Sequence, residues 1–104
     1  MISKPKISEA EFQTTVVELA TLRGWLVHHT RAARTQDGWR TPLQGHKGFP
    51  DLVLARAGNV IFAELKSEIG RLSHEQQAWA AHLPPDSYYL WRPCDFDTAV
   101  DILR

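Results

Sequence analysis

The sequence predicts an α/β fold in the order α-β-β-β-α-β-α, with helices packed on one central mixed sheet. Stretches with apolar residues at helical spacing begin after serine residues that can cap a helix. Between them lie short runs of aromatic and branched residues bounded by glycine and proline, which are typical of strands. The chain has 104 residues, a length that suits one core. Residues 1–104 are therefore interpreted as a single domain.

The predicted helices begin after capping residues. Ser8 and Ser73 are the expected N-caps, because a serine side chain accepts a hydrogen bond from the first helical turn. Gly24 ends the first helix, since glycine just past a helix adopts a left-handed conformation without steric cost. The helices span residues 9–23, 74–82 and 96–103.

The first helix carries polar residues near its apolar stripe. Helical spacing places Glu9 and Gln13 on or beside this stripe and Glu11 on the more polar face. An acidic residue in a first turn is also an ordinary partner of the helix dipole, which is an alternative role for Glu9. The stripe consists of Phe12, Val16, Leu19, Ala20 and Arg23.

The outer predicted strands span residues 25–30 and 87–91, and the central pair lies within residues 48–55 and 60–66. Residues 31–49 contain four glycine and proline breakers before the final Phe49. They predict a long loop without secondary structure, and such loops in small domains are often functional.

The second central strand carries charges where a core is expected. Successive side chains of a strand point to opposite faces, so Glu64 and Lys66 share a face with Val60 and Phe62. That face must bury or half-bury both charges. The simpler alternative is an ordinary ion pair that faces solvent.

The turn between the central strands fixes which residues lie opposite each other. If Ala57-Gly58 form the centre of a tight hairpin turn, Asp51 lies across from Glu64. Cross-strand partners are about 5 Å apart, a distance at which two carboxylates resist ionisation unless a cation lies between them. Mg²⁺ prefers oxygen ligands, so Asp51, Glu64 and a backbone carbonyl could hold it. The alternative is that Pro50-Asp51 only opens a turn.

Four blocks of this sequence resemble the VRR-NUC (virus-type replication-repair nuclease) family, part of the PD-(D/E)xK nuclease superfamily. They are Ser8-Glu9 with Gln13, the stretch from Gly48 to Leu52 with Pro50-Asp51, Glu64-Leu65-Lys66, and Leu72-Ser73 with Gln76 and Trp79. The blocks occur in the family's order and cover nearly the whole chain. The resemblance implies a restriction-endonuclease-like fold.

The resemblance also implies a catalytic site that needs Mg²⁺ or Mn²⁺. Asp51, Glu64 and the carbonyl of Leu65 would hold the metal with Glu9, and Gln13 would support the metal shell. Lys66 would act on the scissile phosphate or the attacking water. Gln76 would also be catalytic, although its place three residues after Ser73 equally predicts a capping box. We expect one amide to fill only one of these two roles.

The charge distribution is compatible with binding of nucleic acid. The formal net charge is zero, which is unusual for a protein that binds nucleic acid without sequence preference. The predicted loop is locally basic, however, and its cations could contact phosphates without reading sequence. These expected nucleic-acid-binding residues are Arg31, Arg34, Arg40 and Lys47.

Other chemistries lack the residue spacing that they need. No pair of histidines or cysteines has the spacing of a structural zinc site, and no phosphate-binding glycine loop is present. Cys94 is the single cysteine, so no internal disulfide can form. No apolar run has membrane-spanning length, so no membrane partner is expected, and no small-molecule cofactor is expected either. A cytoplasmic protein is expected, in the host cell if the protein is phage-encoded.

These observations predict a metal-dependent DNA endonuclease that acts on branched or four-way junction DNA in replication, recombination or repair. A homodimer is expected, because symmetric incision of a junction needs two sites and stand-alone relatives resemble dimeric resolvases. Two alternatives stay open: a nuclease fold that binds nucleic acid without cutting it, and a nuclease directed at RNA.

Overall fold

A computed structural model describes residues 7–29, 33–35, 38–40 and 44–104. For residues 33–35 and 38–40 the description covers the backbone alone. No helix among the described residues has the length and apolar character needed to cross a membrane. The elements in chain order are α1 (Glu9–Leu22), β1 (Leu26–His29), β2 (Ala33–Thr35), β3 (Gly38–Arg40), β4 (Leu52–Arg56), β5 (Asn59–Leu65), α2 (His74–His82), β6 (Tyr88–Trp91), a 3₁₀ turn (Pro93–Asp95) and α3 (Phe96–Leu103).

The protein is a mixed α/β structure around a four-stranded sheet in the order β1-β4-β5-β6. Neighbours β1, β4 and β5 are antiparallel, whereas β6 runs parallel to β5 after the connection through α2. The carboxyl ends of β5 and β6 and the start of β4 therefore meet at one end of the sheet.

The prediction of a structureless loop before β4 was wrong for part of that segment. Strands β2 and β3 form a separate antiparallel ribbon, in which Ala33 pairs with Arg40. Each strand has three residues, too few for an alternating pattern to be recognised. Gly38, interpreted as a breaker, is the first residue of β3. The order α-β-β-β-α-β-α therefore lacks these two strands but is otherwise observed.

The core lies between one face of the sheet and helices α1 and α3. The predicted N-cap of α1 is confirmed, since the Ser8 hydroxyl accepts a hydrogen bond from Glu11 N at 3.1 Å. The buried apolar side chains of this core are Phe12, Val16, Ala20, Trp25, Leu52, Leu54, Ile61, Ala63, Leu65, Trp91, Ala99 and Leu103.

Helix α2 packs on the opposite face through aromatic contacts. The Phe49 ring lies edge-on to Trp79 at 4.9 Å and to Phe62 at 5.9 Å between ring centroids. The Trp79 indole N–H donates to the carbonyl of Lys47 at 3.1 Å. The chain segment that leads into β4 is therefore fixed between α2 and the sheet.

Arg56, the last residue of β4, joins the carboxyl ends of two helices to the sheet. Its guanidinium donates to the carbonyls of Arg23 at 2.8 Å and Leu103 at 3.2 Å, and it lies 4.3 Å from the centre of the Trp25 ring. A cation is favourable at these positions, because the unpaired carbonyls of a helix end carry partial negative charge.

The β4–β5 hairpin has the predicted register. Ala57 and Gly58 have φ values of 51° and 84°, so both central residues are left-handed, as a type I′ turn requires. Leu52 pairs with Ala63 and Leu54 with Ile61. The left-handed conformation is unfavourable at Ala57, since it costs about 1–2 kcal/mol for most residues that carry a Cβ.

We therefore expect Ala57→Asn to raise the free energy of unfolding by about 0.5–1 kcal/mol, because asparagine tolerates the left-handed region and suits the first central position of this turn. Urea denaturation measures the difference. The matched control is Ala81→Asn on the exposed side of α2, where the same change should cost up to about 0.7 kcal/mol of helix propensity. A loss of stability at residue 57 would contradict the turn assignment.

Candidate active site

Two carboxyl groups lie in contact at the end of the sheet where β4 begins and β5 ends. Glu64 belongs to β5, and the register that pairs Leu52 with Ala63 places Asp51 beside it. One Asp51 oxygen, Oδ2, accepts a hydrogen bond from the backbone N–H of Leu65 at 2.8 Å. The Glu64 side chain is almost completely buried, with 1% of its surface exposed.

This environment holds a proton on the carboxyl pair. The pKa of Glu64 is raised from 4.5 to about 9, first by burial, then by the hydrogen bond with Asp51 and by the negative charge of Asp51. Lys66 opposes the shift and Glu9 adds to it, both through their charges. Without a cation, the pair is therefore held by one shared proton near neutral pH.

Gln76 contacts Glu64 and caps helix α2 at the same time. Its side-chain Oε1 accepts from the backbone N–H of Ser73 at 2.8 Å, and its backbone N–H donates to the Ser73 hydroxyl at 3.1 Å. Its Nε2 donates to Oε1 of Glu64 at 3.3 Å. The amide therefore caps the helix and contacts Glu64 at once, contrary to the expectation that one position excludes the other, because an amide has an acceptor and a donor end that can serve different partners.

Gly48 allows the segment before Asp51 to contact the first turn of α2. Its φ is +97°, and a Cβ added there would lie 2.6 Å from the backbone carbon of Glu75. Both the backbone angle and the space therefore require glycine. This close contact brings Asp51 from one side and Gln76 from the other towards Glu64.

The residues of helix α1 are placed as its amphipathic pattern predicts. Glu9 and Gln13 are half-buried, and the charge of Glu9 acts on Glu64. Glu11 is exposed, and its carboxylate accepts from the Ser8 hydroxyl at 3.1 Å. Of the two early acidic residues, Glu9 is therefore the one whose charge acts on the carboxyl pair.

The expected nucleic-acid-binding residues are only partly described. Arg31 lies outside the described residues, and Arg34 and Arg40 are placed by their backbone on β2 and β3. Lys47 is exposed and lies 3.5 Å from the Glu75 carboxylate. An exposed pair of this kind contributes little stability, so the Lys47 ammonium can exchange its partner for a phosphate.

Tyr88 belongs to the surroundings of the site and was not identified from the sequence. It pairs with Phe62 on β5, on the face that carries Glu64. Its hydroxyl is buried, with no hydrogen-bond partner among the described residues. Burial raises its pKa, and the charges of Glu64 and Asp51 add to the shift. The sequence alone does not indicate that Tyr88 lies near the site, because its position depends on the β5–β6 register.

A divalent cation suits the chemistry of this pair. Two oxygen donors that need a shared proton at neutral pH can bind a cation in place of that proton. Within the described residues, no group of three or more His, Cys, Asp or Glu side chains is arranged to hold a metal ion. The protein ligands on which a metal would rely here are therefore the two carboxylates and backbone oxygen.

Known proteins give no assignment for this chain. No family model, no curated protein and no solved structure matches it. The nuclease resemblance therefore rests on the sequence blocks quoted above.

The raised pKa of Glu64 predicts how stability depends on pH in the absence of metal. The folded protein keeps a proton that the unfolded chain releases between its ordinary value of 4.5 and about 9. Stability from this group is thus fully present below pH 4.5 and is lost as pH rises towards 9. The slope is at most about 1.4 kcal/mol per pH unit.

Urea denaturation in EDTA across this pH range measures the slope. Glu64→Gln should remove it, because glutamine resembles the protonated acid and cannot ionise. Glu18→Gln, on the exposed face of α1, is the matched control and should keep the slope. An unchanged slope in Glu64→Gln would contradict a shared proton at the pair.

Proposed function

We propose that this protein is a metal-dependent DNA endonuclease of the PD-(D/E)xK kind, with a restriction-endonuclease-like fold similar to that of VRR-NUC proteins. The observation that supports the proposal most is the contact between Asp51 and buried Glu64, with the charge of Lys66, just past the end of β5, acting on Glu64. A structural ion pair would not require two carboxyl groups in contact, since burying them together is unfavourable.

Asp51 and Glu64 would hold Mg²⁺ or Mn²⁺, and the resemblance adds the backbone carbonyl of Leu65. When bound, the ion supplies Lewis-acid chemistry, lowering the pKa of water and stabilising negative charge on phosphate oxygens. Asp51 has one oxygen engaged with the Leu65 amide, so the metal would bind through the other oxygen in place of the proton held with Glu64. The Gln76 amide fixes one oxygen of Glu64, which sets the direction of the second.

Lys66 supplies the positive charge that the reaction needs beside the carboxylates. In phosphodiester hydrolysis, a water oxygen bonds to phosphorus, the bond from phosphorus to one sugar oxygen breaks, and negative charge develops on the phosphate. An ammonium that neutralises this charge lowers the barrier. Lys66 is half-buried, so its charge acts in a medium less polar than water.

The DNA substrate would be held by Lys47 and by the basic residues of the segment before β4. Contacts of this kind fix position on the backbone without reading sequence. A branched or four-way junction substrate, cut by a homodimer with two sites, completes the proposal. A twofold dimer would use one self-complementary surface.

We expect Asp51→Asn, Glu64→Gln and Lys66→Ala each to reduce cleavage at least about a hundredfold. The thermal transitions of Asp51→Asn and Glu64→Gln should stay near or above that of the wild type, because each change relieves the repulsion between the two acids. That of Lys66→Ala should stay near it, because the proton on the carboxyl pair limits the charge left without a partner. The assay incubates the purified protein with linear and branched DNA in Mg²⁺, Mn²⁺ or EDTA. Glu18→Gln, a change of an exposed acid on α1, is the control and should cut normally.

Retained cutting in any two of these three variants would refute the site. Binding of DNA by the wild type without cleavage in either metal would favour a non-cleaving module. Cleavage of RNA alone would identify an RNA-directed nuclease.

The placement of helix α1 predicts which of its acids supports the metal. Glu9→Gln should weaken Mg²⁺-dependent cleavage about tenfold or more, with partial recovery at higher metal concentration, since supporting groups of a metal site commonly contribute this much. Glu11→Gln should change little, because that side chain is exposed and bonds to Ser8. Metal titrations of the two variants side by side make the comparison. The reverse pattern would show that α1 presents its other face to the site.

A further inference from the structure

The segment that follows Lys66 is held in place from the neighbouring strand. Arg92, directly after β6, uses one guanidinium nitrogen, Nη1, to donate to the carbonyl of Ser67 at 2.6 Å and to the carbonyl of Gly70 at 2.7 Å. A guanidinium NH₂ group has two hydrogens, so a single nitrogen can serve both carbonyls. Charge-assisted bonds of this length are the stronger kind.

Further hydrogen bonds fix both ends of this arrangement. The Lys66 N–H donates to the carbonyl of Trp91 at 3.1 Å, which extends the pairing of β5 and β6 by one residue. The Gly70 N–H donates to the Ser67 hydroxyl at 3.0 Å. The Arg92 N–H donates to the Asp95 carboxylate at 2.9 Å. Residues 67–70 therefore form a turn whose position is set relative to the end of the sheet.

The turn lies against the side chain of Lys66. A Cβ added to Gly70 would lie 3.4 Å from Cδ of Lys66 and 3.2 Å from Oγ of Ser67. The space beside the Lys66 stem is thus closed by the Gly70 backbone, whose carbonyl Arg92 binds. Lysine side chains otherwise have many accessible rotamers, so a wall along the stem limits the directions of its ammonium.

We propose that Arg92 is a positioning residue that directs Lys66 towards Asp51 and Glu64 through the turn at residues 67–70. This inference rests on the proposed function only in its catalytic consequence, because the position of Lys66 can be measured without cleavage. Arg92 acts through hydrogen bonds to the turn and has no need to contact the substrate.

The test compares Arg92→Met with Arg71→Met. The first variant keeps most of the side-chain stem and removes both bonds to the turn. The second removes the same charge from an exposed residue of the same connector. In the proposed mechanism, Arg92→Met lowers kcat about tenfold to a hundredfold with little change in KM, since a displacement of about 1 Å can cost this much. Arg71→Met leaves kcat unchanged.

Two NMR measurements on the metal-free protein report the position of Lys66 directly. In the wild type and in Arg71→Met, a nuclear Overhauser effect should connect the Lys66 δ-methylene protons with the Gly70 α-protons, and the Gly70 amide should exchange slowly. In Arg92→Met the Overhauser effect between Lys66 and Gly70 should be lost, and the Gly70 amide should exchange faster. If the wild type cuts no nucleic acid, the proposed nuclease function fails, whereas these measurements still decide the role of Arg92.

A second variant keeps the proposal testable if Arg92→Met does not fold. Gly70→Ala leaves Arg92 intact and adds a methyl group 3.2 Å from Oγ of Ser67 and in contact with Cδ of Lys66. The turn must then shift relative to the Lys66 stem, so kcat should fall with an unchanged KM and an unchanged thermal transition. The proposal is overturned if Arg92→Met retains the Lys66–Gly70 contact. It is equally overturned if Arg92→Met or Gly70→Ala has the kcat of the wild type, or if either variant changes KM alone.

Discussion

The contact between the carboxyl groups of Asp51 and Glu64 is the constraint on which this end of the molecule depends. Two acids so close are unfavourable when both are ionised, so the surrounding groups must compensate for their charge. The Leu65 amide satisfies one oxygen of Asp51, and the Gln76 amide satisfies one oxygen of Glu64. Lys66 supplies the nearby positive charge. Each of these partners comes from backbone geometry that the sheet or α2 already fixes.

The hairpin turn decides whether this contact exists at all. A strand that slips by one residue turns every side chain to the opposite face. In β5 such a slip would place Glu64 among the apolar side chains under α1 and α3, and would place Leu65 at the site. The left-handed pair Ala57-Gly58 prevents the slip, and Arg56 binds the strand end before the turn to two helix ends.

Much of this arrangement could be predicted from the sequence because its causes are local. The Ala57-Gly58 turn sets the register, Ser8 and Ser73 begin two helices, and the alternation along β5 places Glu64 apart from the core residues. Short-range geometry and residue type determine each of these features. The same local reasoning separates half-buried Glu9, whose charge acts on Glu64, from exposed Glu11.

The remaining features depend on which elements meet in space. Gly48 predicts a break in secondary structure, but its contact with Glu75 arises only when α2 packs over the segment before β4. The parallel register of β5 and β6 brings Tyr88 to the face of Glu64, and the same register brings Arg92 to the turn after Lys66. Strands β2 and β3 were not predicted, since three residues carry too little periodicity.

The double use of the Gln76 amide joins the chemistry of the site to the stability of a helix. One end of the amide completes the capping box of α2, and the other end holds Glu64. Binding free energies at two linked sites are reciprocal. If a fixed Glu64 increases the affinity for a ligand, the bound ligand must therefore also stabilise the first turn of α2. Fraying of that turn must lower the affinity for the ligand by the same factor. The first turn of α2 is thus thermodynamically part of the proposed site.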